Sequence, residues 1–310
     1  MGGPEAPPRL VAVLGPTASG KSALGLELAE GLKGEILCCD SMQVYRGLDI
    51  GTAKPTAAEQ ARVPHHLLDL VDPAEPFHAA RWAAAARTAV AEATARGKLP
   101  IVVGGTGLYF RALVRGLFEA PPPDPAIRQR HQEEARAEGV HALHRRLNEI
   151  DPEAAARILP GDLLRISRAL EVFEQTGVPL TALHRAAPAP DPVDAFTIVL
   201  EPPQPELRAR VEARVDAMMA AGFLDEVRAL RSAGFGAARA LQALGYRQLG
   251  LHLDGALSLE EAVLETKRAT AAYARRQRTW FHKQEASLRL KGPPDPRGLL
   301  ASVAAWAELR

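Results

Sequence analysis

Residues near the start of the chain have the types and spacing to hold a polyphosphate. Gly15-Pro16-Thr17-Ala18-Ser19-Gly20-Lys21-Ser22 fits G-x-x-x-x-G-K-[ST] at every fixed position. The glycines let successive backbone N–H groups turn inward around an anion, and a helix that follows adds partial positive charge. Lys21 has the reach for a terminal phosphate, and the Ser22 hydroxyl suits a Mg²⁺ ion. The context agrees. Leu10 to Leu14 is a short apolar run of the kind that forms a buried strand, and Ala23 to Leu32 places Leu24, Leu28 and Leu32 on one helical face. The motif asks for a diphosphate or triphosphate and is silent on which molecule carries it.

Two further residues could act beside that loop. Glu35 to Cys39 reads as a second buried strand ending at Asp40. Open parallel α/β sheets bind ligands beyond the carboxyl ends of their strands, which brings Asp40 toward the phosphate loop. A carboxylate there suits a general base; capping a helix, or standing behind a Mg²⁺ ion, are its other uses. Leu99 to Val103 reads as another strand, running into Gly104-Gly105-Thr106-Gly107. ATP-hydrolysing relatives of the motif usually carry a metal-binding acid at such a place. None stands here, which argues against plain ATP hydrolysis and leaves a small-molecule kinase open. The Thr106 hydroxyl could bond a bridging phosphate oxygen or orient a substrate amine, or serve only the turn.

The elements that must position these residues read as α/β with a parallel sheet and a helical insertion. Candidate strands are Leu10–Leu14, Glu35–Cys39, His66–Val71, Leu99–Val103 and Phe196–Leu200; Ala79–Arg96 is an alanine-rich helix stopped by Gly97. Pro121-Pro122-Pro123-Asp124-Pro125 breaks the alternation. Only helical patterns come after it: Ala126–Glu138, His141–Glu149, Pro152–Ile158 and Leu163–Thr176, closed by Gly177-Val178-Pro179. A second proline-rich linker spans Ala186–Pro192, and Pro205–Gln284 is mostly helical. The expected organisation is a flexible segment at 1–9, a core at 10–119 and 191–310, and a helical insertion at 120–190.

Composition narrows the partners. Across 310 residues, 38 basic and 37 acidic side chains nearly cancel, so any nucleic-acid site must be a local patch. Lys267–Lys283 is one candidate, with basic residues, no acid, and Tyr273, Trp280 and Phe281 interleaved; an amphipathic core helix is the other reading of it. Cys38 and Cys39 are adjacent and too few for a disulfide framework or a four-cysteine zinc site, which fits a reducing compartment. No run approaches the ~18 apolar residues of a spanning helix, and the proline-rich Met1–Arg9 does not read as a signal peptide. A cytoplasmic location and no membrane partner are expected.

The segment Asp40-Ser41-Met42-Gln43-Val44-Tyr45-Arg46-Gly47-Leu48-Asp49-Ile50-Gly51-Thr52-Ala53-Lys54-Pro55 resembles the signature of the tRNA dimethylallyltransferases, also called tRNA isopentenyltransferases. Pro64-His65-His66-Leu67-Leu68-Asp69, Gly104–Tyr109, Arg165–Glu171 and Gly245-Tyr246-Arg247-Gln248 continue it in family order over residues about 10–285. The chain has no match to the zinc-finger extension of eukaryotic members.

The resemblance implies a P-loop NTPase-like core and transfer of a dimethylallyl group from dimethylallyl diphosphate. The acceptor would be N6 of the adenosine 3′ to the anticodon, in tRNAs reading codons that begin with U. It implies Mg²⁺ at Ser22, catalytic roles for Asp40 and Thr106, and donor binding by Gly15 to Ser22 with Arg214. It implies contacts to the tRNA anticodon stem-loop from Asp40, Ser41, Met42, Gln43, Thr106 and Arg128. Leu164, Arg165, Ile166, Ser167 and Arg168 would add to these, with Gln242, Ala243, Leu244, Gly245, Tyr246 and Arg247. The insertion would therefore touch tRNA, and the enzyme would act as a monomer. A kinase or a non-catalytic RNA-binding protein are the rival readings of the residues alone.

Overall fold

The computed structural model describes residues 7–117, 121–186, 192–292 and 295–308. Among these, six strands form one parallel sheet in the order β3-β2-β4-β1-β5-β6. They are β1 (Arg9–Leu14), β2 (Glu35–Cys39), β3 (His65–His66), β4 (Pro100–Gly104), β5 (Asp194–Leu200) and β6 (Leu288–Leu290). Leu10–Leu14, Ile101 and Val102 are fully buried. Their nearly unbroken apolar runs are what strands covered on both faces require.

Helices α1 (Lys21–Gly31), α2 (Ala57–Arg62), α3 (Ala79–Ala95) and α4 (Gly107–Arg115) alternate with the first strands. Leu24 and Leu28 of α1 pack with Val11, Val13, Ile101 and Val103, and with Leu299 and Val303 of the last helix. Truncating Leu28 to alanine should cost ~2–5 kcal/mol. Trp82 of α3 is fully buried, and its indole N–H donates to the Cys38 carbonyl at 3.1 Å.

The chain divides into two units, Met1–Arg115 with Asp191–Arg310, and Gly116–Pro190. The second unit is helical: α5 (Pro125–Glu138), α6 (Val140–Ile150), α7 (Pro152–Arg157), α8 (Leu163–Thr176) and α9 (Leu180–Ala186). Leu143, Leu147, Ala154, Ala155, Ile166, Ala169 and Leu170 form its core. The proline breaker becomes a helix start, because Asp124 caps α5 and Pro125 supplies the preset first position. The first unit resumes with α10 (Gln204–Ala220), α11 (Phe223–Leu230), α12 (Tyr246–Leu253), α13 (Leu259–His282) and α14 (Pro296–Glu308).

Two expectations change. The strand expected over His66–Val71 is reduced to His65–His66, because Leu67 and Asp69 adopt left-handed backbone at φ 67° and 52° and end the extension. Val71 returns only as an isolated bridge beside Tyr45. Conversely, β6 and α14 occupy a stretch to which the sequence assigned no element. Most of the N-terminal segment expected to be flexible, and residues 187–191 of the second linker, lie outside the described residues.

Strand register fixes the level at which three loops begin. Leu14 and Cys39 both pair with Gly104. Gly15, Asp40 and Gly105, each one residue further on, therefore leave the sheet at one level on its carboxyl edge.

Candidate active site

The loop from Gly15 to Ser22 is shaped for an anion. Ala18 and Gly20 take left-handed backbone, at φ 61° and 92°. Gly20 stands at the N-cap of α1 with no side chain bonding the first turn, so those N–H groups are left to a ligand. The Thr17 N–H is already spent, donating to Gln277 Oε1 at 2.8 Å, and the Ser19 N–H donates to the Pro16 carbonyl. The Ser19 hydroxyl is buried without a partner among the described residues. Lys21 Nζ rests on the Pro16 carbonyl at 3.2 Å. Burial lowers its pKa to about 8; Arg214's charge adds to the drop and Asp40 opposes it. Arg214 is itself pushed down by burial and drawn back up by Asp40. Two cations and one carboxylate thus share a small space.

Beyond the loop lies a cavity of about 290 Å³. Thr17, Lys21, Ser22 and Arg214 line its phosphate end; Asp40, Ser41, Met42 and Gln43 line another wall. Asp40 does not cap a helix. Its Oδ1 accepts from the Met42 N–H at 2.8 Å, holding a tight turn with the rest of the carboxylate available. Thr106 fastens that turn to the end of β4: its Oγ1 accepts from the Ser41 N–H at 3.1 Å, and its own N–H donates to the Cys39 carbonyl. With Oγ1 accepting, the threonine proton is left to donate. Burial pushes the Cys38 and Cys39 thiols up, which keeps these side chains protonated and unreactive.

Of the residues expected at 242–247, Ala243, Leu244 and Tyr246 line the cavity, while Gln242 and Arg247 are exposed. Gly245 stands at the N-cap of α12 and donates its N–H to Gln248 Oε1. Arg128 and Leu164–Arg168 belong to the insertion unit. There Ile166 and Ser167 are buried, and Ser167 Oγ bonds His131, so their side chains serve the unit's interior. Leu164 and Arg165 are exposed. Arg128 and Arg168 both pair with the fully buried Glu171, which fixes two guanidinium groups on one carboxylate.

Phe223, Met218, Thr270 and Gln277, which the sequence did not single out, complete the cavity beside the expected Tyr246 and Tyr273. Phe223 and Tyr246 meet edge to face at 4.9 Å, and Met218, Thr270, Tyr273 and Gln277 join them on the wall. Gln277 is central, taking the Thr17 N–H and giving its amide proton to the Gly105 carbonyl at 2.9 Å. A Cβ at Gly105 would stand 2.4 Å from the Gln277 amide nitrogen, so only glycine permits that approach. The one sequence hint was an uncharged amide within the basic run Lys267–Lys283. In the structure α13 gives that run a core face, with Ala274 and Phe281 buried, and a cavity face with Tyr273, Arg276 and Gln277. Lys267 is neutralised by Asp216.

Residues 43–284 match the family profile described as IPP transferase. The chain belongs to the IPP transferase family. Among relatives of this IPP transferase, the tRNA dimethylallyltransferase of Anaeromyxobacter dehalogenans (strain 2CP-C) is 51% identical over 295 residues, covering 95% of this chain and 99% of that protein. The full-length tRNA isopentenylpyrophosphate transferase of Bacillus halodurans, a crystal structure, is 37% identical, with a TM-score of 0.69 over 97% of each chain. A eukaryotic dimethylallyltransferase solved acting on tRNA is 24% identical, with a TM-score of 0.78 over 97% of this chain and 80% of that one; this last likeness speaks to the fold. The IPP transferase fold here is α/β, P-loop NTPase-like, and no described helix is long and apolar enough to cross a membrane.

Proposed function

We propose that this IPP transferase moves a dimethylallyl group from dimethylallyl diphosphate to N6 of the adenosine 3′ to the anticodon, in tRNAs reading codons that begin with U. The observation that carries the reading is the single cavity with an anion cradle at one end and the Asp40 carboxylate on the adjoining wall. In the reaction the adenine N6 attacks the allylic carbon bonded to oxygen. The C–O bond breaks, its electron pair leaves on the diphosphate, and one N6 proton passes to Asp40. Lys21, Arg214 and the first-turn amides of α1 stabilise the charge that collects on the departing oxygens. The Thr106 hydroxyl steadies the amine or the bridging oxygen. The remaining wall, with Met218, Phe223 and Tyr246, excludes water that would otherwise capture the allylic carbon.

A Mg²⁺ ion fits this donor set. Ser22 lines the cavity and its hydroxyl makes no hydrogen bond among the described residues. No group of three or more His, Cys, Asp or Glu side chains among the described residues is placed to hold a metal there. Ser22 would share the ion with the diphosphate oxygens, as Mg²⁺ sites on phosphorylated substrates commonly do. The ion would supply charge neutralisation to the leaving group.

Mass spectrometry of tRNA nucleosides after incubation with protein, Mg²⁺ and each candidate donor tests the reading. Dimethylallyl diphosphate should add one prenyl group to one adenosine in the anticodon loop, and ATP should add nothing. Consumption of ATP against a small alcohol, with tRNA left unmodified, would replace this reading with a kinase.

A further inference from the structure

Glu226, in the first turns of α11, does something unusual with its carboxylate. It accepts from three successive backbone N–H groups, those of Asp49 at 3.0 Å, Ile50 at 2.6 Å and Gly51 at 3.1 Å, and from the Tyr246 hydroxyl at 2.6 Å. Consecutive amides converging on one point form a nest for an anion, and here the anion is a side chain 177 residues away in sequence. The segment so gripped leads straight into Thr52 and Ala53. Both carbonyls of that pair accept from the Gln43 side-chain nitrogen, at 3.2 and 3.1 Å. Thr52 Oγ1 donates back to the Leu48 carbonyl at 2.6 Å and tightens the same loop.

This arrangement settles which way the Gln43 amide points. Carbonyl oxygens only accept, so the NH₂ group must face them, and both of its protons are used. The amide oxygen Oε1 has no partner among the described residues, and Gln43 lines the cavity beside Asp40. The fixed polar groups of this wall, Gln43 Oε1 and the Asp40 carboxylate, are therefore acceptors. The Ser41 hydroxyl can turn to donate or accept and discriminates little.

Adenine carries a two-proton amine at carbon 6. Hypoxanthine and guanine carry an oxygen there, which would meet acceptors and leave them unpaired. We propose that Glu226 is a positioning residue: through the 49–53 loop it locks Gln43 with its carbonyl free, so that the acceptor pocket selects a 6-amino purine over a 6-oxo purine. The proposal rests on the adenine-acceptor reading of this site. Without Glu226 three amides lose their partner, the loop is left to its internal bonds, the Thr52 and Ala53 carbonyls are held less firmly, and the Gln43 amide can turn to present its NH₂ to an oxygen. The phosphate end of the cavity shares none of these bonds.

The test compares donor-free binding of two anticodon stem-loops, with adenosine or inosine at the acceptor position, to wild type, Glu226→Ala, Glu226→Gln and Gln43→Met. Wild type should favour adenosine by at least about tenfold, as expected when a buried hydrogen-bonding group is left unmatched. In all three variants the ratio should fall toward one, while binding of dimethylallyl diphosphate stays within about twofold of wild type. Glu226→Gln keeps the side-chain volume and so guards against simple misfolding. The ratio, not the affinity, is the readout, because a merely structural loss weakens both stem-loops alike. If Glu226→Ala or Glu226→Gln keeps the wild-type ratio while Gln43→Met loses it, Glu226 does not position Gln43. Wild type that prenylates the adenosine stem-loop yet binds both equally also overturns the proposal. Wild type that fails to prenylate it sinks the underlying function instead.

Discussion

At the phosphate end of the cavity the backbone does the positioning. β1 delivers Gly15, α1 begins at Lys21, and local turns with left-handed Ala18 and Gly20 shape the loop between them. Across the cavity, residues 40–54 form turns with no helix or strand of their own, and distant side chains hold them. Lys54, its side chain almost fully buried, ties Asp49, Asp69 and the Tyr45 carbonyl together; Glu226 holds 49–51; Thr106 holds Ser41. A local anion cradle can be recognised from the spacing of eight residues. The wall opposite it needs contacts gathered from the whole unit.

Substitutions on the two sides of the cavity should separate these two ways of building it. The largest effect is expected at Asp40. Asp40→Ala should lower kcat by ~10²–10⁴, the usual worth of a general base, a far larger change than the ~10-fold its lost hydrogen bond takes from tRNA affinity. A steady-state assay that finds unchanged turnover in a folded variant would strip Asp40 of the base role. Lys21→Ala should come next, with a loss of ~10²–10³ in kcat/KM for the donor, the scale of a lost charge-stabilising contact. Its KM for tRNA should hold. If the two ends of the cavity were not separately built, both KM values would shift together.

A smaller effect should appear in the pH profile. Lys21 ordinarily titrates near 10.5, and burial brings it to about 8 in the free protein. Below that pH it is a cation, ready for the diphosphate; above it the charge is progressively lost. Donor affinity should therefore fall as pH rises through 8, by at most about tenfold per pH unit. Lys21→Arg should flatten this decline. A donor KM that stays constant from pH 7 to 9.5 in wild type would contradict it.

The smallest effect belongs to the acceptor loop. Asp49 and Asp69, the partners of Lys54, are about half exposed. Lys54→Met should thus cost ~1–2 kcal/mol in thermal unfolding, below the 3–5 kcal/mol of a fully buried pair. It should raise KM for tRNA more than KM for the donor. Equal effects on both would show that the loop serves the whole cavity.

The same contrast explains what could be read from the residues alone. Strands with unbroken apolar runs, such as Leu10–Leu14 and Glu35–Cys39, announced themselves, as did the helix behind the phosphate loop. The carboxyl-edge rule alone brought Asp40 and Thr106 toward that loop. His66–Val71 misled because its apolar residues follow backbone that turns left-handed at Leu67 and Asp69, which periodicity cannot register. The short β6 and the helix α14 carry too little pattern to stand out. Glu226 and Gln277 were invisible for another reason: a glutamate in an exposed-looking helical turn, and a glutamine among arginines, acquire their roles only when residues 177 or 260 positions away arrive beside them.

The most direct test of the central claim tracks both halves of the donor in a single turnover. Dimethylallyl diphosphate would carry one label in the prenyl group and another in the phosphorus, and be mixed with protein, Mg²⁺ and an anticodon stem-loop. The prenyl label should appear on the loop adenosine while all the phosphorus label is released as diphosphate. Phosphorus label joined to the RNA, or prenyl label released as the free alcohol with the RNA untouched, would contradict the transfer.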